Sequence, residues 1–223
     1  MILVALSFLL SLAFPENELA TSQATAESDD SELNVAHRIE SPFQIELKDG
    51  EFPKWIRICV TPGPLVKQFV RETASGISPR KDVEQVYRKL QSNWKYKYDP
   101  KDEEWLQSAE YSIAKLEGDC EDYASCMASC LTCVGATVRL VTVRMEQFCH
   151  CYCELLVGSA TDRLTFHVMD QLVSSLGLKT FAYRRDGEKI WLALDFQPPT
   201  KSIYAGEFLQ SISLGMETKA ASN

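Results

Sequence analysis

Three side chains have the types and the order needed to attack a carbonyl carbon: Cys120, His150 and Asp195. The cysteine lies in Glu117-Gly118-Asp119-Cys120-Glu121-Asp122-Tyr123-Ala124, where the pattern predicts the start of a helix. A cysteine reacts as its thiolate, and a free thiol is mostly protonated near neutral pH. The first turn of a helix offers unpaired N–H groups and the positive end of the dipole, and both favour the anion. The Cys120 N–H would also point to where an acyl oxyanion develops. Gly118 would let the chain turn sharply and leave room for a substrate backbone. Against this, Asp119, Glu121 and Asp122 bring negative charge to the thiol, so a histidinium partner has to outweigh them.

The histidine stands in Phe148-Cys149-His150-Cys151-Tyr152-Cys153-Glu154. In a strand, His150, Tyr152 and Glu154 share one face, and the three cysteines share the other. If the helix starting at Cys120 packs on the His150 face, the ring reaches the thiol as nucleophilic catalysis requires, and the cysteines point away. The other histidines are weaker candidates: His37 borders an acidic tail, and His167 sits in a poorly patterned stretch. Asp195 closes the apolar run Ile190-Trp191-Leu192-Ala193-Leu194, where an acid can orient an imidazole and stabilise its cation. Taken singly, a strand histidine is more often structural, and a strand-end acid is often only a polar terminus. It is the ordered set of three that points to chemistry.

The elements that would position these groups follow from periodicity. Val83, Val86, Tyr87, Leu90 and Trp94 fall on one face of a helix that begins near Pro79. A short helix is expected over 109–116, stopped by Gly118. The nucleophile helix should run over 120–134, with Asp119 as N-cap and Gly135 just past its end. Strands are expected over 43–47, 55–60, 137–143 and 149–157, with Lys48-Asp49-Gly50 turning between the first two. Val168, Leu172 and Leu176 suggest an amphipathic stretch. Asp186-Gly187 signals a hairpin between 181–185 and 189–196. A helix-rich half followed by antiparallel strands predicts an α+β domain.

Composition narrows the class. The 223 residues suit one domain plus a tail. Of the formal charge of −8, six acids fall in residues 1–36, which hold no Lys or Arg, so the remainder is near neutral. With no basic stripe, nucleic acid is excluded as a partner. Residues 2–14 form an apolar run too short to span a bilayer, which suits the core of a secretory signal and implies export; a cytoplasmic protein with an apolar start is the alternative. Residues 15–40 read as an acidic, flexible linker, 41–215 as the catalytic domain and 216–223 as a tail.

Together the three segments resemble the transglutaminase-like superfamily, whose papain-like core packs a nucleophile helix on an antiparallel sheet. Gly118–Ala124 resembles the nucleophile motif of that family, His150–Glu154 its histidine strand, and Trp191–Asp195 its closing strand. Asn93-Trp94-Lys95-Tyr96-Lys97-Tyr98-Asp99 is similar to a Trp/Tyr-Asp segment of bacterial and archaeal members. The resemblance covers roughly residues 83–208. It implies Cys120 as nucleophile, His150 as general base and acid, and Asp195 as the orienting acid. It places Trp94 at the oxyanion or substrate wall, since family members often use an indole there, and Asp119 and Tyr152 are grouped with it. The implied reaction is cleavage or transfer of an amide acyl group through a thioester, on a protein or peptide substrate, with hydrolysis favoured. The alternative is a silent papain-like module that binds peptide or glycan. No cofactor or metal is implied, and no calcium cluster like that of animal members is apparent.

Seven cysteines remain beside Cys120, so complete pairing is impossible. Cys126, Cys130 and Cys133 share one helix face and read as small buried hydrophobes. Free thiols are expected, with the helix and strand sets facing different ways.

Overall fold

The computed structural model describes residues 43–44, 52–100, 105–145, 149–196 and 207–214. The apolar leader, the acidic linker, the turn at 48–50, Pro198-Pro199 and the tail lie outside them. After β1 (Phe43–Gln44) come three helices, α1 (Phe52–Cys59), α2 (Pro64–Thr73) and α3 (Pro79–Asn93). Next are β2 (Lys95–Tyr96), β3 (Trp105–Leu106), α4 (Ala109–Lys115), β4 (Glu117–Gly118) and α5 (Cys120–Cys133). The second half is β5 (Val138–Arg144), β6 (Cys149–Ser159), α6 (Arg163–Leu176), β7 (Tyr183–Asp186), β8 (Lys189–Leu194) and β9 (Glu207–Leu214).

A five-stranded antiparallel sheet, in the order β7-β8-β6-β5-β9, forms one layer, and α5 lies against it. This is the α+β arrangement expected from the sequence. Ser78 caps α3 by accepting from Lys81 N–H, and Pro79 at the first position supplies a preset φ. Val83, Val86, Tyr87 and Leu90 are all buried, as their spacing requires.

Helix α5 is buried on every side from Glu121 to Leu131, so it is a central rod rather than an amphipathic cover. Small residues make that possible. Ala124, Cys126, Ala128 and Cys130 let the sheet approach, while Met127 and Leu131 fill the gaps. Burying each of those two larger side chains stabilises the fold by about 1.5–3 kcal/mol.

Two expectations are corrected. Residues 55–60 are not a strand: Trp55 to Cys59 belong to α1, and Ile56, Cys59 and Val60 turn to the core at helical spacing. The face of β6 was also misassigned. Cys151 and Cys153 share the main core with Cys126, Met127 and Cys130 of α5. Tyr152 belongs instead to a second cluster with Val141, Val143 and Ala193. The helix therefore covers the cysteine face, and the helix and strand cysteines pack together. All eight are free thiols. Strand β9 and helix α2 were not anticipated from the sequence at all.

The outer face of the sheet is buried too, and beside that apolar cluster it carries a charged network. Arg139, 3% exposed, pairs through Nε with Glu154, 1% exposed, at 2.7 Å, and through Nη1 with Asp186 at 2.7 Å. Its guanidinium lies 4.2 Å from the ring centre of Trp191. Arg184 reaches Glu154 at 3.4 Å and donates to the Tyr152 hydroxyl at 3.1 Å.

Candidate active site

Cys120 occupies the first position of α5, with Asp119 as N-cap. Asp119 makes no side-chain capping bond, contrary to the usual role of an aspartate there. The turn into the helix rests on Gly118, whose φ of +153° disfavours any other residue. A Cβ there would meet Asp122 Oδ2 at 2.5 Å. The space above Gly118 is thus filled by Asp122 and not left for a substrate backbone.

The segment before the helix is clamped by its neighbours. β2 runs parallel to β4, with Lys95 opposite Glu117 and Tyr96 opposite Gly118. The Gly118 carbonyl accepts from Lys97 N–H at 3.0 Å and from Trp94 Nε1 at 3.2 Å. Trp94 is 6% exposed and packs edge-on against Tyr123 at 5.3 Å. Its indole N–H, expected at the oxyanion, is committed to holding the turn. Asp122 is fully buried, and its Oδ1 accepts from Gln107 N–H at 2.8 Å.

The helix start is crowded with acids. The Cys120 thiol donates to Glu121 Oε2 at 3.2 Å. Burial pushes the thiol well above its ordinary range, and the charges of Glu121 and Asp119 and the neighbouring Cys151 add to this. A backbone hydrogen bond from Cys151 works in the opposite direction. Burial also pushes up Asp119, opposed by a hydrogen bond with Glu121 and by nearby His150. Asp122 is driven well above the carboxylate range by burial and by Asp119. Donor atoms of Asp119, Cys120 and Glu121 lie within 4.8 Å of one another, the one set among the described residues with the spacing of a metal ligand group.

The histidine end differs. His150, 8% exposed, bonds through Nε2 to Asp195 Oδ2 at 2.7 Å. β6 and β8 pair with Cys153 opposite Leu194, so Asp195 emerges one step beyond, on the His150 face. Asp195, 5% exposed, is itself fixed: Oδ1 accepts from Phe196 N–H at 2.7 Å, and its carbonyl accepts from Tyr87 on α3 at 3.3 Å. The imidazole stacks on Tyr152 at 5.9 Å. Tyr152, expected at a substrate wall, has no exposed surface and backs the ring instead. With Nε2 bound to Asp195, Nδ1 is the nitrogen left for chemistry.

Sequence reasoning overlooked two residues. Phe196 packs against Tyr123 at 5.5 Å and stacks with Tyr96 at 5.7 Å, joining the end of β8 to β2 and α5. Tyr96 lies two residues beyond Trp94, so in extended chain the two point the same way, and that alternation was the available signal. His167 is elsewhere, on α6, bonded to Gln171 at 2.8 Å. No helix among the described residues is long and apolar enough to cross a membrane. No curated protein matches the chain. The family model of the transglutaminase-like superfamily matches residues 67–195, a span that opens in α2, holds Cys120 and His150 and closes on Asp195, and the chain belongs to that superfamily.

Proposed function

We propose that the chain is a thiol enzyme that breaks amide bonds through an acyl-Cys120 intermediate, with His150 as proton carrier and Asp195 as its orienter. The observation that carries this reading is the buried His150–Asp195 pair at 2.7 Å, which leaves Nδ1 unspent; although α5 covers the other face of β6, the His150 charge still acts on Asp119, the residue before Cys120. Sγ attacks the amide carbonyl while its proton passes to Nδ1, and Asp195 stabilises the resulting imidazolium. The tetrahedral intermediate collapses, the C–N bond breaks, and His150 returns the proton to the leaving amine. Water, activated by the same imidazole, then cleaves the thioester. A primary amine in place of water would give transamidation with the same residues; hydrolysis is favoured because water is always at hand.

Burial, and then crowding by acids, keeps the resting thiol protonated, so the base must act during attack rather than beforehand. That crowding also supports the second reading, a peptide- or glycan-binding module whose triad is silent. Export through the apolar run at 2–14 remains part of the proposal on sequence grounds, and the eight free thiols weigh towards a reducing compartment.

Incubation with p-nitrophenyl acetate followed by peptide mass mapping separates the readings. The enzyme reading expects an acetyl group on Cys120 that is released by water and is missing in Cys120→Ala. A protein that releases nitrophenol no faster than buffer and carries no adduct at Cys120 would support the silent module.

A further inference from the structure

We infer that the Tyr96 hydroxyl is an oxyanion donor, acting with the Cys120 N–H on the carbonyl oxygen of the attacked amide. The inference rests on the proposed thioester reaction and adds a catalytic group to it. Its starting point is the donor that is spent: Trp94 Nε1 is bound to the Gly118 carbonyl at 3.2 Å. A thiol enzyme needs donors where negative charge develops, and one N–H at a helix start leaves half of a two-donor hole unfilled.

Tyr96 stands where the second donor is needed. Parallel pairing of β2 with β4 puts it opposite Gly118, two residues before the nucleophile. Its ring is fixed on both sides, stacked with Phe196 at 5.7 Å and edge-on to Tyr98 at 5.1 Å. Phe196 directly follows Asp195, so the ring spans the gap between the helix start and the end of β8. It is only partly buried, as a group that meets substrate should be. Burial, then the charges of Cys120, Asp119 and Glu121, holds the phenol proton far more tightly than in water. The pairing with Gly118 brings Tyr96 to the helix start, and the raised pKa keeps its hydroxyl an O–H donor throughout the working pH range. The same three repel a tyrosinate, so the group cannot compete with Cys120 as a nucleophile.

Tyr96→Phe tests this, because it keeps both ring contacts and removes only the hydroxyl. Two rates are compared: acylation of Cys120 by p-nitrophenyl acetate, which passes through an oxyanion, and its alkylation by iodoacetamide, which does not. Loss of one such donor slows acylation roughly ten- to hundred-fold, below the full range seen for amide substrates because an activated ester needs less help. Alkylation should change less than about twofold. Equal slowing of both rates would assign Tyr96 to the thiol and overturn the inference, as would no slowing of either. Tryptophan at this position, Tyr96→Trp, should recover part of the acylation rate, since an indole N–H replaces the hydroxyl. A wild-type protein whose Cys120 alkylates but never acylates would instead refute the thioester reading on which the inference rests.

Discussion

The two halves of the site are built in opposite ways. At the start of α5, burial and the charges of Glu121 and Asp119 hold the proton on a thiol that hydrogen-bonds to Glu121. At the ends of β6 and β8 the imidazole is held on Asp195 at 2.7 Å and backed by Tyr152, whose hydroxyl is bound by Arg184. Behind Tyr152 lies the Arg139–Glu154 pair, and Tyr87 anchors the Asp195 backbone from the helical layer. In the proposed reaction the proton acceptor is therefore organised in advance, whereas the donor is restrained. Such a site depends on general-base removal of the thiol proton during attack, where a preformed thiolate–imidazolium pair would not.

The largest effect should come from deleting the nucleophile. Cys120→Ala should cost at least about four orders of magnitude in turnover of any amide substrate, since the residual catalysis comes only from binding and the oxyanion donors. The measurement is kcat with the wild-type substrate, and retained activity would move the chemistry away from α5.

Breaking the organised half should cost less. Asp195→Asn keeps size and hydrogen bonding but cannot stabilise an imidazolium, and turnover should fall roughly ten- to thousand-fold. The serine-protease example loses more, because its hydroxyl is harder to deprotonate than a thiol. Unchanged turnover in a folded variant would turn attention to another acid.

The support behind that half can be tested without chemistry. Glu154→Gln leaves Arg139 buried with only the exposed Asp186 as counter-ion. Breaking a buried pair in this way should destabilise the fold by about 3 kcal/mol and lower Tm by roughly 6–12 °C. A thermal melt within a degree of wild type would mean that the outer-face network contributes nothing to holding β6.

The smallest effect should come from relieving the crowded half. Glu121 is the largest charged cause of the raised Cys120 thiol, so Glu121→Gln should lower its pKa. At fixed neutral pH more of the sulfur is then thiolate, and the rising limb of the alkylation profile moves to lower pH. A several-fold faster reaction with iodoacetamide is expected. A shift to higher pH would show that Glu121 serves the thiol as a base.

Much of this was legible in the sequence, and the gaps have physical causes. Helix α3 and the hairpin at Asp186-Gly187 follow from period and turn chemistry, and both form where expected. Helix α1 was misread because Trp55, Ile56, Ile58, Cys59 and Val60 favour strands; the i, i+3, i+4 spacing of Ile56, Cys59 and Val60 was the better guide. The two faces of β6 were correctly divided but wrongly assigned. Alternation shows which residues share a face, not which face a helix covers, and here both faces are buried. The commitment of the Trp94 indole depended on β2 pairing with β4, a two-residue contact that no sequence pattern announces. The order of Cys120, His150 and Asp195 was readable, whereas the bond from the thiol to Glu121 required the fold.

Competition among the cysteines tests the central claim most directly. Cys149 is exposed, while Cys120 is half-buried among acids, so without a base Cys149 should react first. Limiting iodoacetamide near neutral pH, with adducts mapped by mass spectrometry, is applied to the wild-type chain and to His150→Ala. The account predicts that Cys120 labels ahead of Cys149 in the wild type and slows about tenfold or more in His150→Ala, while Cys149 is unaffected. Labelling of Cys149 before Cys120 in the wild type, with no change at Cys120 on removing His150, would contradict it.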